Sequence, residues 1–311
     1  MKIAIVGAAG EMGSWFAAFL HKQGHELVLI GRRREPVERL ARSMDHCVAG
    51  DFADVRGADL IVVSVPLDAV ERVIEELGRH VKESQPVIDL SSLKTAPQRA
   101  ADAHMPRARF LGVHPMFGSG ADGFAGHNVI LTPARDDVAA LAEKVKRYLE
   151  PHGAHVVMMD PQTHDEVMAV VLGLPALVVA VVAKTAVDSG RFALAREVSG
   201  TSLEVLVSLT ESMLCEGSEL YGTLLVALPA ASGVASGMQK SAEHFARLVH
   251  EGGRATLIDE FASLGQQLEQ LDHRATDAYA RMYAMLEALK RFPASGDTPG
   301  VEADPPPPAT C

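Results

Sequence analysis

Residues 1–13 read Met-Lys-Ile-Ala-Ile-Val-Gly-Ala-Ala-Gly-Glu-Met-Gly. The apolar run at 2–6 predicts a β-strand, and a helical pattern begins at Met12. Glycines between a strand and a helix are typical of a turn that binds phosphate groups at a helix N-terminus. We expect Gly7 to allow the tight turn, Gly10 to let the backbone approach a pyrophosphate, and Gly13 to let the helix pack on the strand. The predicted dinucleotide-binding residues are Gly7, Ala9, Gly10, Glu11, Met12 and Gly13.

Short apolar runs alternate with helical patterns through the first half of the chain. The predicted strands are residues 2–6, 26–30, 60–65, 87–90, 110–113, 129–132 and 156–159, and the predicted helices are 12–22, 36–43 and 69–77. Alternating strands and helices form a parallel sheet with helices on both faces. We therefore expect a Rossmann-type, doubly wound α/β domain over residues 1–160.

After about residue 160 the strand-like runs end and long helical patterns follow. The predicted helices are 163–189, 193–215, 217–231, 237–251 and 254–291. They predict an all-helical domain over residues 161–292, and its long apolar helices predict dimerisation, because one copy could not cover them all. Residues 293–311 contain a run of prolines at 305–308 and few apolar residues, which predicts a disordered tail.

Composition excludes several classes of protein. The 311 residues include 29 basic and 40 acidic ones, a net charge of −11, which speaks against a nucleic-acid-binding surface. The three cysteines, Cys47, Cys215 and Cys311, lack the spacing of metal ligands, so we expect no metal site and reduced thiols in a cytoplasmic protein. The N-terminal apolar run is too short for a signal peptide. The most apolar stretch, residues 167–187, contains Lys184 and favours a buried core helix over a membrane span.

The end of the second predicted strand bears on the choice of cofactor. It reads Leu29-Ile30-Gly31-Arg32-Arg33-Arg34, without a carboxylate before Glu35. A carboxylate at this position binds the ribose 2′-hydroxyl of NAD, whereas arginines suit the 2′-phosphate of NADP. Arg32 and Arg33 therefore predict NADP as the cofactor, and NAD is the alternative. A basic turn that is simply solvated would also explain the arginines without any cofactor contact. Further along, Ser64, Val65 and Pro66 are expected beside the nicotinamide ribose, although Pro66 would also suit a helix start.

Two further polar segments follow predicted strands. They read Asp89-Leu90-Ser91-Ser92-Leu93-Lys94-Thr95 and Gly112-Val113-His114-Pro115-Met116-Phe117-Gly118. Ligands of open α/β sheets bind at the carboxyl ends of strands. A histidine directly after a strand and before a glycine-bearing loop is therefore a functional candidate, and its ordinary pKa near 6.5 suits proton transfer.

These segments, the glycine turn and Thr163-His164-Asp165-Glu166 occur in the order found in prephenate dehydrogenases, the TyrA-type enzymes of tyrosine biosynthesis. Residues 1–290 resemble this family. The resemblance implies a Rossmann domain joined to a helical domain that forms a homodimer, and oxidative decarboxylation of a small cyclohexadienyl substrate with a nicotinamide cofactor. It implies that His114 polarises or deprotonates the 4-hydroxyl group, that Ser92 orients His114 or that hydroxyl, and that Ser91 contacts substrate. It assigns His164 and Asp165 mainly to the domain junction, and a helix cap explains them equally well.

The helical half departs from the family pattern. Ala176 and Gly173 stand where members carry histidines, and no arginine occurs between Arg196 and Arg247, where the family places arginines for the substrate carboxylate. An Arg–carboxylate contact contributes about 1.5–3 kcal/mol. We expect either that Lys240, Arg191 or Arg196 replaces it, or that the substrate is an amino analogue. Arogenate and 4-amino-4-deoxyprephenate each carry an ammonium group that could meet Glu204.

Two other functions stay open on the sequence alone. A β-hydroxyacid dehydrogenase or imine reductase of the same two-domain plan would use a lysine on the long helix, here Lys184. A non-catalytic NADP-binding protein would explain the missing histidines and arginines. The intact Ser92 and His114 favour the dehydrogenase.

Overall fold

The computed structural model describes residues 1–215 and 218–290. The chain divides into two compact units, the first comprising Met1–Met168 and Ala227–Pro229, the second Ala169–Val226 and the chain from Ala230 onward. The domain boundary near residue 160 stays a prediction. The predicted tail at 293–311, which includes Cys311, lies outside the described residues.

The first unit is built on an eight-stranded sheet. Its strands are β1 (Lys2–Val6), β2 (Glu26–Ile30), β3 (Cys47–Ala49), β4 (Leu60–Val63), β5 (Pro86–Asp89), β6 (Arg109–Pro115), β7 (Asn128–Thr132) and β8 (His155–Met158). They lie in the order β3-β2-β1-β4-β5-β6-β7-β8, and all neighbours pair in parallel except β6 and β7. The predicted doubly wound parallel sheet is confirmed, with β7 and β8 reversed relative to the others. The loop from β6 to β7 contains no crossover helix, which an antiparallel pair does not need.

Helices cover both faces of this sheet. They are α1 (Glu11–Lys22), α2 (Arg34–Arg42), α3 (Val70–Gly78), α4 (Thr95–His104), α5 (Asp136–Leu149) and α6 (Pro161–Met168). Helices α3 and α4 pack with alternate residues of β1, β2 and β4 in one buried cluster, whereas α1, α2 and α5 contribute to two clusters that hold Ile3 and Leu111. Burial on both faces explains why the central strands read as nearly continuous apolar runs.

The second unit, in its described part, consists of helices. After a π-helical turn at Ala169–Gly173 they are α7 (Leu174–Asp188), α8 (Phe192–Glu197), α9 (Thr201–Cys215), α10 (Ser218–Ala227), α11 (Ala231–Glu251), α12 (Arg254–Leu271) and α13 (Ala278–Leu289). The predicted helix at 254–291 is interrupted by a short 3₁₀ turn, His273–Asp277. The all-helical character of this half is confirmed.

The apolar segment Pro161–Asp188 is long and apolar enough, by length and composition alone, to cross a membrane. Only 28% of its most apolar window is buried, so the predicted burial of this helix is wrong for the single chain. Val170, Val181 and Val187 are 56%, 51% and 70% exposed. One copy of the second unit therefore leaves a broad apolar surface uncovered.

Candidate functional site

The glycine turn joins β1 to α1 in the way that its spacing predicts. Gly7 has a φ of +88°, and a Cβ there would lie 1.9 Å from the carbonyl oxygen of Ser64. A Cβ at Gly13 would lie 2.1 Å from the carbonyl oxygen of Gly7, so this helix can approach the strand only with glycine. Gly10 is exposed, and a Cβ there would meet only the Gly7 carbonyl oxygen, at 3.3 Å. Close packing thus requires Gly7 and Gly13, whereas a Cβ at Gly10 would make a single tight contact with a backbone oxygen of the turn.

The N-terminus of α1 can receive an anion. Gly10 is its N-cap residue, and no side chain caps the first turn. Uncapped N–H groups and the helix dipole favour a pyrophosphate at this point. Of the other predicted cofactor residues here, Ala9 and Glu11 are exposed, and Met12 is half-buried against the core.

The basic turn after β2 presents two arginines. Arg32 and Arg33 are exposed, and within the described ranges neither side chain has an ion-pair partner. By contrast, Arg34 pairs with Glu38, and Glu35 pairs with Arg39. The nearest carboxylate of this turn is therefore already engaged, and the two guanidinium groups stand free for a ligand.

The segment after β4 lies beside the glycine turn. The N–H of Ser64 donates to the carbonyl oxygen of Val6 at 2.8 Å, and Val65 packs against the core. Pro66 precedes a 3₁₀ turn, Leu67–Ala69, that leads into α3. The position of Pro66 is thus compatible both with a helix start and with the predicted place beside the nicotinamide ribose.

Lys94 and Asp89 form a buried ion pair at the end of β5. Lys94 is 1% and Asp89 0% exposed. Lys94 Nζ donates to Asp89 Oδ2 at 2.7 Å, to the Asp89 carbonyl oxygen at 2.9 Å and to the Val113 carbonyl oxygen at 3.1 Å. Burial lowers the pKa of Lys94, and the nearby Asp89 and Asp165 only partly oppose this shift. The pair ties the end of β5 to the residue that precedes His114.

Asp165 closes the N-terminus of α4 from outside the helix. Its Oδ1 accepts the backbone N–H of Lys94 at 2.8 Å, and its Oδ2 accepts that of Thr95 at 2.9 Å. Burial raises the pKa of Asp165, but hydrogen bonds from His164, Thr95 and Lys94 outweigh it and leave the pKa below its usual value. The side chain is therefore an ionised carboxylate at a helix N-terminus, where the dipole stabilises it.

His114 is linked to Asp165 through His164. His114 Nδ1 lies 2.9 Å from His164 Nε2, and His164 Nδ1 lies 2.7 Å from Asp165 Oδ1. His164 is fully buried and His114 is 6% exposed. Burial lowers the pKa of His114 well below 6.5, the positive Lys94 and the neighbouring His164 lower it further, and Asp165 raises it. His114 is therefore a neutral imidazole at neutral pH, as a proton acceptor must be.

The two adjacent serines differ. Ser91 is buried, its N–H donates to Asp89 Oδ1, and its Oγ lies 2.7 Å from both Asp89 Oδ2 and the Leu93 carbonyl oxygen. Its hydroxyl is thus used inside the protein. Ser92 is half-buried, and its side chain makes no hydrogen bond with the described residues, so its hydroxyl is available. The substrate role of Ser91 and the catalytic role of Ser92 stay predictions.

The second unit holds the remaining predicted residues. Glu204 Oε2 accepts hydrogen bonds from Arg196 Nη1 at 2.9 Å and from Ser199 Oγ at 3.0 Å. Lys240 is exposed on α11. Lys184 is exposed and pairs with Asp188 four residues on. Arg196 and Glu204 thus form a partly exposed pair of opposite charges.

The sequence pattern gives no indication that Lys94 and Asp89 belong to the site, and it indicates only a structural role for His164 and Asp165. Two features of the sequence could have identified these residues. They are the oppositely charged Asp89 and Lys94 near the end of a strand, and the His-Asp dipeptide at the start of a helix. Within the described ranges, no group of three or more His, Cys, Asp or Glu side chains could hold a metal ion.

Residues 16–158 match the nucleotide-binding domain of prephenate dehydrogenase. A probable arogenate/prephenate dehydrogenase of Methanocaldococcus jannaschii is 30% identical over 177 residues, which are 56% of this chain and 40% of the relative. NovF, a probable prephenate dehydrogenase of Streptomyces niveus, is 27% identical over 273 residues, 80% of this chain and 74% of the relative. Apart from NovF, five curated relatives match, and the M. jannaschii protein is one of them. The chain spans only 38% to 51% of the length of each of these five.

A solved structure shares the fold. Prephenate dehydrogenase from Aquifex aeolicus, in complex with hydroxyphenyl propionate and NAD+, superposes with a TM-score of 0.71 at 21% identity. The match covers 88% of this chain and 98% of that one. The chain therefore shares the fold of that enzyme, and residues 16–158 are similar to the nucleotide-binding domain of prephenate dehydrogenase.

Proposed function

We propose that the chain is a nicotinamide-dependent dehydrogenase that oxidatively decarboxylates prephenate or a close amino analogue, arogenate or 4-amino-4-deoxyprephenate, to an aromatic product. One observation carries the proposal. His114, at the end of β6 in the domain that is similar to this family, is buried, neutral and hydrogen-bonded to His164 at 2.9 Å. Such a group can accept a proton as hydride leaves the substrate.

The glycine turn supports a dinucleotide cofactor. The exposed Gly10 and the uncapped first turn of α1 fit a pyrophosphate. The hydride that leaves C4 of the substrate ring would go to a bound nicotinamide, which is the chemistry that this cofactor supplies. The free Arg32 and Arg33 support NADP over NAD, because guanidinium groups can hold a 2′-phosphate through paired hydrogen bonds.

His114 performs the proton transfers in this scheme. It takes the proton of the 4-hydroxyl group as the C4–H bond breaks and hydride departs. The bond from C1 to the ring carboxylate then breaks, carbon dioxide leaves, and its electron pair makes the ring aromatic. His114 returns the proton to the aryl oxygen, so the residue ends as it began. Arogenate keeps the 4-hydroxyl group and reacts in the same way, whereas in 4-amino-4-deoxyprephenate the proton comes from the nitrogen at C4.

The Arg196–Glu204 pair supports a substrate that carries an ammonium group. It places a cation and an anion 2.9 Å apart. An amino-acid side chain, as in arogenate, carries both complementary charges, whereas a 2-oxo acid side chain carries only the carboxylate.

We also propose a cytoplasmic homodimer formed through the helical unit. Supporting it are large apolar side chains of that unit that are strongly exposed in the single chain, since apolar surface of this kind marks interaction sites where it is contiguous. They include Val187, Val198, Val226, Phe261 and Leu271, which are 70%, 74%, 89%, 65% and 84% exposed. Light scattering of the purified chain should give twice the chain mass.

The test of the function is NADP reduction with prephenate, arogenate and 4-amino-4-deoxyprephenate offered side by side. We expect turnover of at least one, with an amino form preferred, and weaker reduction of NAD. Turnover of prephenate at the same rate would remove the role of Glu204. No turnover of any, with NADP binding demonstrated, would reject the proposed reaction and favour a β-hydroxyacid dehydrogenase, an imine reductase or a non-catalytic binding protein.

A further inference from the structure

We infer that Asp165 and His164 are positioning residues that hold His114 in a single tautomer, with its proton on Nδ1 and the electron pair of Nε2 free to accept the substrate proton. The inference rests on the proposed function in one respect, because His114 is the proposed base. The hydrogen bonds themselves join only described residues of the first unit.

The direction of the chain of hydrogen bonds is set at Asp165. An ionised carboxylate only accepts hydrogen bonds. Asp165 accepts the backbone N–H groups of Lys94 and Thr95 at the start of α4, at 2.8 and 2.9 Å. Its contact with His164 Nδ1, at 2.7 Å, therefore requires the proton to be on that nitrogen.

The state of His114 follows from that of His164. With one ring proton on Nδ1, His164 has an electron pair on Nε2, which faces His114 Nδ1 at 2.9 Å. Two nitrogens at this distance share one proton, so His114 Nδ1 carries it and donates. The second nitrogen of His114, Nε2, is then unprotonated.

His114 Nε2 is open to a ligand. It makes no hydrogen bond with the described residues. Among those residues, the only buried side-chain polar atom that has no partner is Gln98 Oε1, so His114 Nε2 is not a buried atom of this kind. His114 Nε2 is therefore not sealed inside the protein. This nitrogen is the one that can reach a substrate.

The arrangement also suits the protonated state of His114. An imidazolium carries protons on both nitrogens, and only an unprotonated His164 Nε2 can receive the one on Nδ1. The charged groups that act on His114 are Lys94, at the start of α4, and Asp165, from α6. Asp165 is the negative charge linked to His114 through His164, and it favours the proton that His114 gains.

The inference can be tested first without any substitution or substrate. In protein labelled with ¹⁵N-histidine, NMR shows which ring nitrogens carry protons, and His164→Gln and His114→Asn identify the signals. We expect both rings of the unaltered protein to be protonated on Nδ1 and bare on Nε2 near neutral pH. A proton on Nε2 of His114 would overturn the inference. Correct tautomers in a protein without turnover would instead count against the proposed function alone.

Asp165→Asn tests the consequence for catalysis. An amide has one accepting oxygen for the three groups that donate to Asp165, so one of these hydrogen bonds is lost whichever way it turns. With the amide nitrogen toward His164 Nδ1, the chain is reversed and the proton of His114 moves to Nε2. We expect kcat to fall by about 10³–10⁴-fold, as when the buried aspartate of a serine-protease triad becomes asparagine, with the KM for the cofactor nearly unchanged. The matched control is Asp160→Asn, an exposed cap of α6 that accepts hydrogen bonds from Gln162 and Thr163. Its kcat should be unaltered, and an equally small effect of Asp165→Asn would contradict the relay.

Replacement of His164 separates positioning from simple packing. In His164→Gln, the new amide offers an acceptor to His114 and a donor to Asp165, so this variant preserves the direction of the chain. His164→Leu fills space but removes both bonds. We expect the glutamine variant to keep at least about ten times the kcat of the leucine variant. Equal kcat values in two folded variants would show that His164 only fills space.

Discussion

The ammonium group of Lys94 lies 2.7 Å from Asp89 Oδ2, and both side chains are buried at the end of β5. Removing one partner of such a pair leaves an uncompensated buried charge. Since Lys94 also donates to the Val113 carbonyl oxygen, the pair holds the backbone just before His114 in place.

Lys94→Met should therefore lower the free energy of unfolding by about 3–5 kcal/mol, measured by urea denaturation. Adding Asp89→Asn should restore part of the loss, because the unpaired carboxylate is removed. The control, Lys82→Met at an exposed position, should change stability by less than about 0.5 kcal/mol. A loss in Lys94→Met no larger than in this control would contradict the structure.

The lowered pKa of His114 has a consequence for stability. The unfolded chain has a histidine pKa near 6.5 and the folded one a lower value, so the unfolded state binds more protons between the two. Stability from this group is fully present above about pH 6.5 and is lost as pH falls through the folded pKa. In that window, His114→Asn should remove up to about 1.4 kcal/mol per pH unit from the slope of stability against pH. Unfolding curves with the same slope in both proteins would show that His114 is not depressed.

The same shift should set the acid limb of the proposed activity. Because the proposed base, His114, has to be unprotonated to accept the substrate proton, kcat/KM should stay level down through pH 6.5 and fall only at lower pH. The measurement is a pH profile of initial rates with saturating cofactor. An inflection at or above pH 6.5 would exclude His114 as the base, or exclude its burial in the working enzyme.

Substitutions at Gly7 and Gly10 should have different effects, the first on the stability of the fold and the second on cofactor binding. Gly7→Ala places a methyl group 1.9 Å from a backbone oxygen at a positive φ, so it should destabilise the domain by more than about 3 kcal/mol. Gly10→Ala has an ordinary backbone conformation and one tight contact, 3.3 Å from the Gly7 carbonyl oxygen, so stability should change by about 1 kcal/mol or less. NADP should nevertheless bind at least about tenfold more weakly to Gly10→Ala, because the methyl group stands where the pyrophosphate would approach. Unchanged NADP affinity in that variant would place the pyrophosphate elsewhere.

The exposed arginines after β2 should discriminate between the two cofactors. The double variant Arg32→Ala with Arg33→Ala should raise the KM for NADP by about 10–100-fold and leave that for NAD unchanged. Arg34→Ala is the matched control, since Arg34 is already paired with Glu38. Equal effects on NADP and NAD would mean that these arginines do not contact a 2′-phosphate.

The pattern of apolar residues and glycines predicted those parts of the fold that residues close together in sequence determine. The strands at 2–6 and 26–30 have the bounds that their apolar runs indicate, and Gly7 and Gly13 occupy the positions that a tight strand–helix turn requires. Strand β3 has three half-exposed or exposed residues, too few for a periodic signal. Helix α4 was missed because its sequence, TAPQRAADAH, shows little apolar periodicity.

The site was harder to predict because its contacts join distant segments. His114 and His164 are 50 residues apart in sequence, and Lys94 and Asp165 are 71 apart. Nothing in the His-Asp dipeptide shows that its carboxylate would cap a helix starting at Thr95. The pairing of Glu204 with Arg196 likewise depends on the path of the chain between α8 and α9.

The most direct test of the central claim compares the unaltered protein with His114→Asn in NADP reduction, using whichever of the three cyclohexadienyl substrates reacts best. NADP binding is measured in parallel. The account predicts that kcat falls by at least about 10²-fold while NADP affinity stays the same, because His114 moves a proton and does not hold the cofactor. A His114→Asn protein that binds NADP and turns over substrate at the original rate would contradict the account.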